Sequence, residues 1–308
     1  MLKGGPPEVM PGAATAAAAS CEGQDFIYSF RAMATPCEIR IEADNDDRAA
    51  AAAKIAEGEA RRIEQKFSRY RADSIVGRIN GSMGEAIEVD NETADLLDFA
   101  AHCYKISDGV FDITSGALRR IWRFDGSANI PADDEIAEIL PFIGWHRVKW
   151  RRPVIALCAG MEIDLGGIGK EFGVDSAMRL LRAACNNPTL VNFGGDLCVS
   201  GPRRSGAPWK VAIESVDRQE GMAGLIELSS GAIATSGDAR RFLLKDGVRH
   251  SHILNARTGR SIADAPRSVT VAAPTCVEAG TMATLAMLQG RKAEAFLKRE
   301  KVKAWCIR

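Results

Sequence analysis

The chain has 308 residues, 40 basic and 40 acidic side chains, 46% hydrophobic and 26% charged residues, a composition that excludes disordered and fibrous classes. Zero formal net charge speaks against a general nucleic-acid or anionic-membrane binder, since those need excess Lys and Arg to displace counterions. The eight cysteines are scattered, with no C-x-x-C pair and no Cys/His cluster at zinc-finger spacing, so a structural zinc site is not expected and a reducing compartment is.

Residues 1–25 are rich in Ala, Gly and Pro and read as a disordered leader. Ala18-Ala19-Ser20-Cys21 faintly resembles a bacterial lipoprotein cleavage site, but Pro11 and Gly12 interrupt the preceding segment. No run reaches the ~18 apolar residues of a membrane-spanning helix. The sequence as it stands is expected in the cytoplasm, with a periplasmic or lipid-anchored form as the alternative.

Cys37, Ile39, Ile41 and Ala43 alternate with Glu38, Arg40 and Glu42, the period-2 pattern of a strand with one wet face. Helical spacing follows over 48–67 (Ile55, Ile63, Phe67) and over 92–106, which Asp90 or Asn91 can cap. A loop over 126–134 enters a short helix at 134–140. Strand-like segments at 146–150 and 154–158 precede a Gly-rich turn, Gly166 to Gly169, that runs into a helix carrying Val174, Ala177, Met178 and Leu181. Short β-rich runs lie at 190–193, 209–213, 225–228 and 268–273, and helices at 279–288 and 291–301 close the chain. Cys37 and Cys185 fall in apolar surroundings and read as small buried hydrophobes. Strands and helices mix without βαβ alternation, so the expected class is α+β: a single compact two-lobed domain over 26–308, with mixed β-sheets and flanking helices.

The strongest chemical signal is EIDLGGIGKEFGVD at 162–175, where a strand ends in an acid, passes three glycines and enters a helix with Lys170 in its first turn. Glycines let the backbone approach a ligand, helix-start N–H groups point at it, and the lysine adds positive charge where a phosphate would sit. The same turn can serve tight packing. NFGGD at 192–196 and ATSGD at 234–238 repeat the theme of a β-rich run ending in Gly and Asp. Each alone reads as a plain turn; together they suggest strand ends converging on a polar ligand. GVFDITSG at 109–116 joins an aromatic to an acid, suited to stacking a base and accepting hydrogen bonds from it. His252 in HSHILNARTGR reads as structural or as a proton handler, and nearby Arg257 as a phosphate binder.

In this order, MAT (33–35), FSRYRADSIVGRIN (67–80), GVFDITSGAL (109–118), DLGGIGKEFGVD (164–175), VNFGGD (191–196), ATSGD (234–238), SHILNARTGR (251–260) and SVTVAAPTCVEAGTMAT (268–284) resemble the ApbE family, the FAD:protein FMN transferases once described as thiamine-biosynthesis lipoproteins. The resemblance implies an enzyme that cleaves FAD and attaches FMN through a phosphoester to a Ser or Thr of a target protein bearing a D-x-x-[ST]-G-A-T type motif, releasing AMP. By position it implies FAD contacts at Met33, Tyr70, Val110, Phe111, Asp112, Asp164, Lys170 and Leu254. It implies a Mg²⁺ site at Gly167, Thr284, Ala283 and Gly280, and His252 as the proton handler. One departure stands out, because the family's metal-binding Asp is Gly280 here. Glu278 is a possible substitute, and an aspartate introduced at 280 is expected to restore the site. Glu171 stands where the family often has Gly, and Asn255-Ala256 replaces an Asp-Pro pair. The alternatives to transfer are an FAD pyrophosphatase and a non-catalytic FAD-binding protein.

Overall fold

The computed structural model describes residues 24–215, 222–238 and 241–308. The expected leader and its Cys21 lie outside them, and Gln24 and Asp25 already belong to the first strand. Seven strands form one antiparallel sheet: β1 (Gln24–Ala32), β2 (Thr35–Ala43), β3 (Thr189–Phe193), β4 (Asp196–Val199), β5 (Gly231–Gly237), β6 (Ser268–Ala273) and β7 (Lys303–Ile307), neighbours in that order. Period-2 alternation sends Val191, Phe193, Cys198, Ala232, Ala234, Val269 and Val271 into the main core. The intervening Leu190, Leu197, Val199 and Ile233 reach the opposite face, where they meet Trp209, Ile213, Ile226 and Leu228 of the hairpin Trp209–Glu214/Met222–Leu228.

Helices α1 (Asp46–Phe67), α2 (Ile75–Asn80), α3 (Asn91–Ile106), α4 (Asp133–Ile139), α5 (Gly169–Ala184), α6 (Cys276–Leu288) and α7 (Ala293–Arg299) complete the frame. Side-chain caps fix several starts: Asn45 accepts from Arg48 N, Asp90 from Thr93 N and Thr275 from Glu278 N. Helix α5 packs between α1 and α6, and α6 packs on β5 and β6. A third, smaller cluster holds Leu118, Trp122, Ile143 and Leu243.

Three expectations need correction. The segment 146–150 begins as a 3-10 turn, Trp145–Arg147, before a strand at Lys149–Arg151. The closing helix over 291–301 is shorter, a 3-10 turn at Gly290–Lys292 followed by α7. The sequence reading also omits β7, whose partner β6 lies more than thirty residues earlier; a strand at a sheet edge is specified by that register, which no local pattern encodes.

Candidate active site

Two hairpin turns meet at one end of the sheet. Met33 and Ala34 join β1 to β2, and both take positive φ, 52° and 58°. This is the backbone of a two-residue hairpin turn that normally selects Asn-Gly. Two side-chain-bearing residues here carry strain of the kind found at functional sites. Gly194 and Gly195 join β3 to β4 with φ of 66° and 99°. A Cβ at Gly194 would lie 2.1 Å from Thr35 Oγ1, so glycine is what lets the two turns touch. The NFGGD segment is therefore a hairpin that delivers Asp196 to the sheet end. Asp196 Oδ1 accepts from Thr235 N at 3.1 Å, and Lys170 Nζ stands 2.7 Å from Oδ2.

Lys170 comes from the first turn of α5, as the Gly-rich turn predicts. Burial pulls its ammonium down, but the Asp196 and Glu171 carboxylates outweigh that and hold it above the ordinary lysine value. Asp164, at the start of the turn, bonds to Gly166 N through Oδ1 and to Arg69 through Oδ2. Arg69 also donates to the Tyr70 hydroxyl at 2.8 Å and lies over the Tyr70 ring. Tyr70 is 77% exposed, an aromatic plate at the mouth of the site.

Helices α5 and α6 are locked together. Asp175 on α5 accepts from Cys276 N at 2.8 Å and Val277 N at 2.9 Å, satisfying donors that a helix start leaves open. The lock sets Gly280 against Glu171, with Thr284 one turn further along α6 in the same lining. Thr284 Oγ1 donates to Ser236 Oγ at 3.2 Å.

These parts enclose a cavity of about 710 Å³, lined by Met33, Tyr70, Val110, Phe111, Asp112, Asp164, Gly167, Lys170, His252, Leu254, Gly280 and Thr284. Its size is that of small-molecule and cofactor sites. Of the FAD, Mg²⁺ and proton-handling positions implied by the resemblance, Ala283 alone stays outside the lining; it is fully buried behind the wall. Glu278 is exposed and absent from the lining, because its place on α6 turns it away from Gly280 and Thr284. Arg257 also lies elsewhere, paired with Asp108 at 2.7 Å. Asp112 borders the cavity, but its carboxylate is committed to the protein: Oδ1 accepts from Thr114 N and Oγ1, Oδ2 from Trp145 N. Its geometry thus makes it a brace for the wall rather than the expected acceptor for a base. A larger cleft of about 1540 Å³ between the sheet and the Trp209–Glu214 hairpin holds none of the implied FAD, Mg²⁺ or proton-handling residues, though Asn192, Gly194 and Gly195 of the NFGGD segment border it.

His252 donates from Nδ1 to the Arg241 carbonyl at 2.9 Å; a carbonyl only accepts, so Nε2 carries the free lone pair. Burial keeps the imidazole below its ordinary pKa of 6.5, against the opposing bond to Arg241. The Phe124 ring meets it edge-on, and Trp122 stacks on Phe124 at 5.6 Å. Both aromatics line the cavity with Arg69, Glu171 and Asp196. The sequence reading assigned no role to Trp122, Phe124 or Arg69, although Arg69 stands inside the quoted FSRYRADS segment.

Among the described residues, no group of three or more His, Cys, Asp or Glu side chains is disposed to hold a metal ion. Magnesium commonly uses only one or two carboxylates, with waters and substrate phosphates completing its shell. Nor is any helix among them long and apolar enough to cross a membrane.

The chain is similar in sequence and fold to known proteins. The FAD:protein FMN transferase of Vibrio cholerae is 32% identical over 237 residues, 75% of this chain and 71% of the relative. That of Escherichia coli K12 is 29% identical over 255 residues, 79% and 73% of the two chains. The crystal structure of the ApbE protein from Thermotoga maritima superposes with a TM-score of 0.83 at 30% identity, covering 92% of this chain and 94% of that one. The flavin transferase ApbE from Vibrio cholerae gives 0.80 at 28% identity, covering 92% and 93%. Residues 33–306 match the pattern of the ApbE family, and the chain belongs to that family.

Proposed function

We propose that this protein is an FAD:protein FMN transferase, which cleaves the pyrophosphate of FAD and joins the FMN half to a Ser or Thr hydroxyl of a target flavoprotein, releasing AMP. One observation carries the reading. Residues from eight separated sequence segments line one cavity, next to a helix start and a half-buried lysine suited to phosphate.

In this reading the acceptor hydroxyl oxygen attacks the phosphorus of the FMN half. A new P–O bond forms, the bridging P–O bond breaks, and AMP leaves with the bridging oxygen. His252 Nε2, neutral near pH 7, takes the hydroxyl proton. Lys170 and the N–H groups at the start of α5 stabilise charge on the phosphoryl oxygens, the dominant requirement in phosphoryl transfer. Tyr70, Phe111, Trp122 and Phe124 offer flat surfaces to the flavin and adenine rings.

The residues present also fit Mg²⁺. The Thr284 hydroxyl and Gly167 carbonyl are hard neutral oxygens, and Glu171 Oε2 is a buried carboxylate oxygen without a hydrogen-bond partner. Bound there, the ion would neutralise charge on the pyrophosphate as its bridge breaks.

The test combines pure protein, FAD, Mg²⁺ and a peptide bearing the D-x-x-[ST]-G-A-T type acceptor motif. Flavin covalently held on the peptide Ser or Thr, with one AMP per flavin, is the expected result. Release of free FMN would make the enzyme a pyrophosphatase, and unchanged FAD would make it a binding protein.

A further inference from the structure

Glu171 is the third residue of α5 and is 8% exposed. Its Oε2 has no hydrogen-bond partner, a costly arrangement for a buried carboxylate. Its charged neighbours deepen the problem. Asp196 is a second buried acid, 1% exposed, and Lys170, the cation beside them, already stands against Asp196. Two buried acids and one ammonium thus share one wall of the cavity, where a bound cation would stabilise both acids in their ionised form.

The space Glu171 fills is informative. A Cβ built on Gly280 would lie 2.6 Å from Glu171 Cγ and 2.7 Å from Oε1. Real Cβ atoms do not make such contacts, so a side chain at 280 would have to displace the Glu171 carboxyl from where it lies. They reach the same place from two helices that the Asp175 lock holds in register. Gly280 is a cradle that lets the α5 glutamate lie across α6, one turn from Thr284 and within the lining that includes Gly167. An acid carried by α6 at position 280 and an acid carried by α5 at 171 would thus bring a carboxylate to one spot.

We infer that Glu171 supplies the carboxylate ligand for the divalent cation of this site, standing in for an acid at position 280. The assignment rests on the flavin-transfer reading for the identity of the site. It excludes Glu278, which is exposed and faces away.

The test uses the full chain with FAD and Mn²⁺ as a spectroscopic stand-in for Mg²⁺, reading bound metal by electron paramagnetic resonance. Glu171→Gln keeps the shape and removes the charge, and is expected to weaken Mn²⁺ binding at least ~10-fold, the low end of what altered metal-site support costs. The exchanged pair Glu171→Gly with Gly280→Asp is expected to bind Mn²⁺ like the natural chain. Gly280→Asp alone forces two acids into one space and is expected to lower the melting temperature rather than improve the site. Glu278→Gln should leave Mn²⁺ affinity unchanged. Circular dichroism and FAD binding establish that each variant is folded.

Natural Mn²⁺ affinity in a folded Glu171→Gln protein would overturn the assignment. So would a folded exchange variant that binds FAD but no Mn²⁺, or a natural chain that binds none in the presence of FAD. If the natural chain transfers FMN while Glu171→Gln binds Mn²⁺ normally, the ligand assignment alone fails. If it binds Mn²⁺ through Glu171 yet modifies no acceptor, the ligand stands and the transfer reading fails.

Discussion

At the scale of single residues, the site is defined by where protons and charges are held. His252 has its Nδ1 proton fixed on the Arg241 carbonyl, and burial favours the neutral ring. A base whose pKa is lowered stays competent at more acidic pH. The acid limb of the transfer rate should therefore fall below pH 6.5, the ordinary imidazole value, and a pH profile of single-turnover flavin transfer measures it. His252→Ala should remove that limb together with most of the rate, roughly 10²–10⁴-fold for a lost general base. Lys170→Ala should weaken FAD binding by about 1.5–3 kcal/mol, the scale of a hydrogen bond to a charged group, as read by calorimetric titration. The same change leaves the Asp196 carboxylate, 1% exposed, without its cation, so a lower melting temperature is expected alongside the weaker binding. Lys170 is legible in sequence because a Gly-rich turn entering a helix is a local pattern. Glu171 is not, since its meaning depends on a glycine 109 positions later in another helix.

At the scale of elements, the caps and locks that place the helices are partly written in the sequence. Asp90 is a readable N-cap for α3, and the structure adds Lys66, whose Nζ lies 2.7 Å from it. Burial raises the Asp90 carboxyl, but the Lys66 ammonium and the bonds from Thr93 outweigh it and bring the pKa to about 2. A carboxylate depressed in the folded state adds stability above its unfolded value of 3.8, and this is lost as pH falls towards 2. With half of the Asp90 side chain exposed, solvent screening holds the contribution to about 1 kcal/mol. Asp90→Asn keeps a good cap and removes the charge. Urea melts of the two proteins should differ at pH 7 and draw together as pH falls from about 4 towards 2. The Asp175 lock is less legible, for the acid sits mid-helix on α5 and its partners are backbone N–H groups 101 and 102 residues away. Likewise Trp122 and Phe124 follow a short 3-10 helix, Ile113–Arg120, whose period gives neither a helical nor a strand signal. Their role as a wall emerges only when the turn of His252 folds over them.

At the scale of the whole molecule, the cavity is a junction. Its lining draws on the β1–β2 turn, the end of α1, the 3-10 segment after α3, the start of α5, the end of β5, the His252 turn and α6. The α+β class and the Gly-rich turns were readable because those segments carry their own turn chemistry, whereas the individual site residues were implied by the family resemblance. How the segments meet was not, because it is set by long-range register, such as Arg69 reaching Asp164 across 95 residues. This construction has a thermodynamic consequence. A ligand that touches segments from both lobes binds only when they are assembled, so it stabilises the folded state by RT ln(1 + [L]/Kd), about 2.7 kcal/mol at a hundredfold excess over Kd. For a domain of this size each kcal/mol moves the melting temperature by roughly 2–4 °C. FAD at that excess should therefore raise the melting temperature by about 5–10 °C in a scanning fluorescence experiment. FMN offers one phosphate and no adenosine, so it lacks the groups that would reach past Lys170 to the opposite wall. At equal concentration it should shift the midpoint distinctly less, and AMP alone less again. Equal shifts with FAD and FMN would mean that the adenosine half makes no contact with the cavity, leaving the pyrophosphate with no defined position beside His252.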